Sequence, residues 1–181
     1  MFSSNIVRGS GASIAFLICL LAVPCTRGAG NGSGSLVMPL SAPVSPEALE
    51  VAPQDAWRFA ELFAGTRPGC EVVVGRGDSM LPVYRDGTVL VLERMDMAAL
   101  QQGMTVVFIG DSGRPVAHTL VEKTVRGWCA AGLNNGHRDQ TFIRSRNYIG
   151  TVIRAFSPNP SLASQRFPAS DPAAVLPALG D

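Results

Sequence analysis

Between residues 71 and 155 the chain carries six short apolar runs rich in β-branched side chains, each bounded by Gly, Asp, Asn or Pro. They are residues 71–74 (EVVV), 88–93 (TVLVLE), 104–109 (MTVVFI), 116–125 (VAHTLVEKTV), 127–131 (GWCAA) and 148–155 (YIGTVIRA). Runs of this length are too short to make helices with a buried face. Val, Ile and Thr, stiff at χ1, pack well on a pleated surface. Asp86-Gly87, Asp111-Ser112-Gly113 and Asn135-Gly136 supply tight turns between them. Helical bundles and alternating strand–helix architectures are thereby excluded. Helical spacing occurs in residues 55–63 (DAWRFAELF), where Trp57, Phe59, Ala60 and Phe63 fall near one face and Asp55 can cap the start. The expectation is a mainly β domain, a barrel or a sandwich, with one short N-terminal helix.

The flanks have a different character. Arg8 is the sole charged side chain in the first 26 residues; residues 14–23 (IAFLICLLAV) follow, then Pro24 and the small residues Gly28, Ala29 and Gly30. A basic start, a short apolar middle and a small-residue exit describe a secretory signal. The same run also reads as a short retained anchor, although it falls below the roughly 20 residues that span a bilayer comfortably. Residues 1–30 are therefore assigned to a signal peptide or short membrane anchor, which places the rest of the chain outside the cytoplasm. Residues 31–56, rich in Gly, Ser, Pro and Ala, read as a flexible linker, and residues 157–181 as a flexible tail. The folded unit is expected over residues 57–156. Cys70 and Cys129 fall inside it; in an oxidising compartment they either pair or remain two separate thiols.

Side chains able to accept a proton near neutral pH are scarce. Of 15 Lys and Arg, one is a lysine, Lys123, and there are two histidines, His118 and His137. Arginine stays protonated. A net charge of +1 with 16% charged residues leaves no electrostatic footprint for nucleic acid. Two histidines without Cys or carboxylate at ligand spacing form no zinc site, and no metal or cofactor is expected. His137 belongs to the turn Asn134-Asn135-Gly136-His137 and reads as a solvated residue. His118 and Lys123 share one predicted strand. Period-two alternation puts His118, Leu120 and Glu122 on one face and Thr119, Val121 and Lys123 on the other. An isolated strand histidine is more often a packed or surface residue than a base.

Gly77-Asp78-Ser79-Met80-Leu81-Pro82 follows the first run. A serine on a Gly-containing turn leaving a strand is exposed beside backbone N–H groups, which suits a nucleophile with a ready oxyanion donor. Composition alone fits a plain turn as well. Arg76-Gly77-Asp78 also spells an adhesion tripeptide, but it sits at a strand end and three residues carry little weight.

Taken in order, several elements resemble the serine peptidase fold shared by type I signal peptidases and LexA-type self-cleaving repressors. They are Gly77-Asp78-Ser79-Met80-x-Pro82, Asp86-Gly87 before the second run, Gly103 before the third, and Ala117-His118-Thr119-Leu120-Val121-Glu122. Asn134-Asn135 with Asp139, and Ile149-Gly150-Thr151-Val152, complete the series. The histidine in the fourth element is similar to the endoplasmic-reticulum and archaeal-type signal peptidases, where bacterial enzymes carry lysine. The resemblance implies a β-barrel-type domain, Ser79 as nucleophile and His118 as its base. Leu133 stands where that family has an acid, and Asp139 matches a second family acid, so Asp139 inherits the orienting role. Gly77 stands where many signal peptidases carry a serine, leaving the oxyanion to backbone donors. Gly77, Met80 and Leu81 would shape the groove for an extended polypeptide cut after small residues. The resemblance thus implies an exported serine endopeptidase, with membrane association if the N-terminal segment is retained. The alternative is a catalytically inactive exported β module of the same fold that binds peptide or a protein partner.

Overall fold

The structure is a computed structural model that describes residues 16–17 and 45–164. The expected signal peptide or anchor (residues 16 and 17 apart), the expected linker up to residue 44 and the expected tail beyond residue 164 lie outside the described residues.

The elements in chain order are β1 (Phe16–Leu17), β2 (Ala48–Val51), α1 (Pro53–Gly65), β3 (Cys70–Val74), β4 (Val89–Glu93), β5 (Thr105–Ile109), β6 (Pro115–Thr124), β7 (Gly127–Ala131), β8 (Tyr148–Pro158) and a single 3-10 turn at Pro160–Leu162. Each of the six runs becomes a strand, within three residues at either end. They form one sheet in the order β1-β3-β4-β8-β5-β6-β7, and β2 pairs with β8 off that path. The β1–β3 and β2–β8 pairs are parallel and the rest antiparallel. The sheet does not close into a barrel, because β7 does not hydrogen-bond back to β3 or β1 in this order.

β8 is the spine. Along one edge it pairs with β4 from Thr151 to Phe156; along the other it pairs first with β5, from Tyr148 to Thr151, and then with β2, from Ala155 to Pro158. The stretch expected to be linker therefore includes an ordered strand. Ala48–Val51 is held because its backbone completes the free edge of β8 where β5 ends.

Two layers pack on the sheet. β4 reads Val-Leu-Val-Leu because both its faces are buried, as a strand enclosed on both sides must be. Val89 and Val91 face α1 together with Val72, Phe156, Phe59 and Ala60. Leu90 and Leu92 face the opposite way, into a core with Val73, Met80, Tyr84, Val107 and Val152. Phe59 of α1 meets Phe156 of β8 with ring centroids 6.3 Å apart at 57°, a tilted aromatic contact. The helix begins two residues earlier than expected. Pro53 occupies its first turn, where the missing N–H is no loss, and no side chain caps it. Asp55 is instead a buried first-turn acid, 3.8 Å from Arg58 Nε, placed to complement the helix dipole.

β6 departs from simple alternation. Leu120 opposes Ala130, but Glu122 opposes Cys129 and Lys123 opposes Trp128, so Val121 is bulged out of register. Residues opposite each other in an antiparallel pair share a face. Lys123 thus returns to the face of Leu120 and His118, contrary to the expectation from uninterrupted parity. Its Nζ lies 5.7 Å from the centre of the Trp128 ring. Five residues along the strand, about 17 Å, separate Lys123 from His118. Cys70 and Cys129 are both free thiols, on β3 and β7, near opposite ends of the strand order. They do not pair.

Phe156→Ala removes the ring that joins α1 to the spine. It should lower the unfolding free energy by about 3–5 kcal/mol, read by urea denaturation; a loss below about 1 kcal/mol would show that α1 does not depend on this contact.

Candidate active site

Ser79 stands on the loop between β3 and β4, which is tied at its base. Gly75 N–H donates to Thr88 O at 2.8 Å and Gly87 N–H donates to Gly75 O at 2.9 Å. Further out, the Asp86 carboxylate accepts the Gly77 N–H at 2.8 Å and lies 3.5 Å from Arg76. Gly77 has φ +91, a conformation that disfavours any residue with a Cβ. Leu81 N–H donates to Asp78 O at 3.1 Å, which makes Ser79 and Met80 the central residues of a turn. Their own N–H groups take no part in that closing bond.

The loop is also nailed inward. Met80 is 3% exposed and sits in the central core with Tyr84, whose hydroxyl donates to Pro46 O at 2.7 Å. Burial pushes the Tyr84 phenol above its ordinary range. Met80 was expected to shape a substrate groove. Its side chain is instead an anchor, because the one turn residue flanked by core strands is drawn beneath the loop. Leu81 and Gly77 are half-buried.

His118 lies on β6 opposite Val106 and is 5% exposed. The edge of the Phe108 ring packs against it, with centroids 6.4 Å apart. Asp139 lies beyond β7, where its N–H donates to Ala130 O at 2.8 Å. Its Oδ2 is 2.7 Å from His118 Nδ1. A carboxylate can only accept, so in the neutral ring Nδ1 carries the hydrogen and Nε2 is left as an acceptor. That Nε2 is buried without a hydrogen-bond partner, and so is Ser79 Oγ. The two atoms therefore do not hydrogen-bond to each other, although a Ser–His pair was expected to. Leaving buried polar atoms unmatched is unfavourable, and native proteins keep few of them.

Residues 132–139 bring the two halves together. At one end of this segment, Asn134 N–H donates to Ser79 O at 2.9 Å and Asn134 Nδ2 donates to Asp78 O at 3.1 Å. At the other end Asp139 holds His118. Gly132 is required by close approach: a Cβ there would fall 2.7 Å from Ser79 O and 2.6 Å from Asn135 Nδ2. Asn134 was visible in the sequence only as part of a family-like string. Its contact with Ser79 spans more than 50 residues, and local pattern carries no signal for it.

A second polar feature escaped sequence reasoning. Ser45 Oγ is 2.8 Å from Thr105 Oγ1 and 2.9 Å from Gly103 O, and Thr105 Oγ1 is 3.3 Å from Thr119 Oγ1. Thr119 follows His118 on β6 and pairs with Thr105, so these hydroxyls lie on the face of β6 opposite to the His118 side chain. His137 is exposed in its turn, as expected, and Lys123 is exposed. Among the described residues no group of three or more His, Cys, Asp or Glu is placed to hold a metal ion, and no helix is long and apolar enough to cross a membrane.

No protein-family model matches the chain, and no curated protein matches its sequence.

Gly132 and Gly136 provide a matched pair. Gly136 has open space around its Cα. Gly132→Ala should destabilise the fold by about 1–3 kcal/mol, the cost of overpacking, and displace the Ser79 amide resonance, whereas Gly136→Ala should do neither. Equal thermal midpoints for the two variants would contradict the clamp.

Proposed function

We propose that the protein is a serine endopeptidase of the signal-peptidase-like class, with Ser79 as nucleophile, His118 as general base and Asp139 as the residue that orients the imidazole. The observation that carries this reading is the hydrogen bond from His118 Nδ1 to Asp139 Oδ2 at 2.7 Å, which leaves Nε2 as an unengaged acceptor. The same short segment that supplies Asp139 also grips the backbone of Ser79.

In this reading the Ser79 hydroxyl swings into contact with His118 Nε2 and passes its proton there as Oγ attacks the scissile carbonyl carbon. The tetrahedral oxyanion is met by the backbone N–H groups of Ser79 and Met80, which the turn's closing bond leaves free. His118 then returns the proton to the departing amine, leaving an acyl-enzyme. Water attacks the ester as His118 takes its proton; the bond to Oγ then breaks, His118 returns the proton to Ser79 Oγ, and the acid product leaves. Asp139 stays ionised and stabilises the imidazolium in each half-reaction. The substrate is an extended polypeptide with small residues at the cut, reached from outside the cytoplasm and at the membrane surface if residues 1–30 are retained.

A second reading is a catalytically inactive module of the same fold that binds peptide or a protein partner. The absent Ser79–His118 hydrogen bond and the sealed Ser79 Oγ favour it.

Cleavage of a preprotein followed by mass spectrometry separates the two. Ser79→Ala should abolish cleavage, His118→Ala should lower kcat by about 100-fold or more, and Lys123→Ala should leave it unchanged. Cleavage that survives Ser79→Ala rules out the peptidase reading. Asp139→Asn keeps the shape but changes the hydrogen that Nδ1 can share; kcat should fall by about tenfold or more with the thermal midpoint preserved.

A further inference from the structure

The arginines of this chain are not equally neutralised. Arg58, Arg67, Arg76, Arg85 and Arg138 each have a carboxylate within ion-pair distance, from Asp55, Glu93, Asp86, Glu50 and Glu122. Arg126, Arg144 and Arg146 have none among the described residues, yet all three line the same cavity of 340 Å³. It lies between the β6–β7 turn, which carries Arg126, and residues 140–147, which lead from β7 into β8.

The walls of this cavity are braced. The Arg126 guanidinium lies 4.2 Å from the centre of the Phe142 ring, so one face of it is occupied and its edge is left for hydrogen bonding. Arg144 Nε donates to Arg126 O at 2.5 Å, which holds the two arginines side by side and leaves the terminal nitrogens of Arg144 unused. Asn147 fixes the backbone behind them: its Oδ1 accepts the Arg144 N–H at 2.8 Å, and its Nδ2 donates to Ile109 O and Phe142 O, both at 3.2 Å. Asp111 is the one carboxylate in the lining, and it already accepts the Thr141 hydroxyl. Three guanidinium charges against one carboxylate leave the cavity at +2.

We propose that this cavity is a binding site for a phosphate group in its dianionic form. Guanidinium forks match the oxygens of phosphate two at a time. A phosphate monoester carries about −1.5 to −2 charges at neutral pH and three acceptor oxygens, which balances the cavity. A single carboxylate brings one charge and two oxygens and leaves a guanidinium unmatched. The site is separate from Ser79 and His118 and does not depend on the peptidase reading.

The test is titration of the full chain with inorganic phosphate at low ionic strength, followed by calorimetry and by arginine side-chain resonances. Saturable binding is expected, weakened about tenfold by Arg146→Gln and by Arg126→Gln, in line with the loss of one charge-assisted hydrogen-bond pair. Arg67→Gln, at the far end of α1, should leave it unchanged. Arg146 makes no ion pair and is exposed, so its variant keeps the fold; a matching circular-dichroism melt verifies this. No saturable binding at millimolar phosphate, or equal binding by the wild type and both variants, overturns the site. A parallel arm uses vesicles of phosphatidylcholine alone and with phosphatidic acid. Co-sedimentation with the acidic vesicles that is lost in Arg146→Gln supports the site and assigns its phosphate to a lipid headgroup. Phosphate binding without co-sedimentation supports it and assigns a soluble phosphate ester.

Discussion

The pairing of β8 with three neighbours is the interaction on which the rest of the domain stands. Its Tyr148–Thr151 stretch holds β5, and through β5 the β6–β7 hairpin with His118; its Thr151–Phe156 stretch holds β4, and through β4 the strand that leads into the Ser79 loop. The two candidate catalytic side chains thus belong to opposite halves of the sheet, joined by one strand. Bulges in both the β4–β8 and β5–β8 ladders let β8 bend between the halves, and a bent spine turns both faces toward buried cores.

A sheet alone would not bring a loop after β3 to a strand four places away. Residues 132–139 do that by hydrogen-bonding Asp78 and Ser79 at one end and His118 at the other. At the Ser79 end the bonds go to backbone carbonyls, which do not rotate away as side chains can, and Gly132 allows close approach there. Ser79 Oγ and His118 Nε2 are each buried without a hydrogen-bond partner. A peptide carbonyl arriving there would find an acceptor nitrogen and a hydroxyl not committed elsewhere.

Much of the secondary structure was legible. Six runs with β-branched composition and clear stops became six strands, since short apolar runs cannot bury themselves otherwise. The helix was legible from Trp57, Phe59, Ala60 and Phe63, but its start was not: Asp55 looks like a cap, while Pro53 begins the helix by its fixed φ. β2 was hidden because Ala48–Val51 has no strand pattern of its own and is ordered only by the edge of β8. Lys123 was assigned to the wrong face, since a bulge at Val121 depends on the partner strand and leaves no mark in the sequence of β6. The absence of closure into a barrel likewise depends on which edges meet.

The sequence by itself determined the mainly β character, the turn that carries Ser79 and the shortage of bases. Those are local properties: propensity, turn chemistry and the count of titratable side chains. Only the tertiary structure decided that Met80 is an anchor, that Asp139 reaches His118, that Cys70 and Cys129 stand apart, and that three unpaired arginines meet in one cavity. Each depends on side chains far apart in the chain arriving at the same place, and that is set by strand order and register, which composition and spacing do not encode.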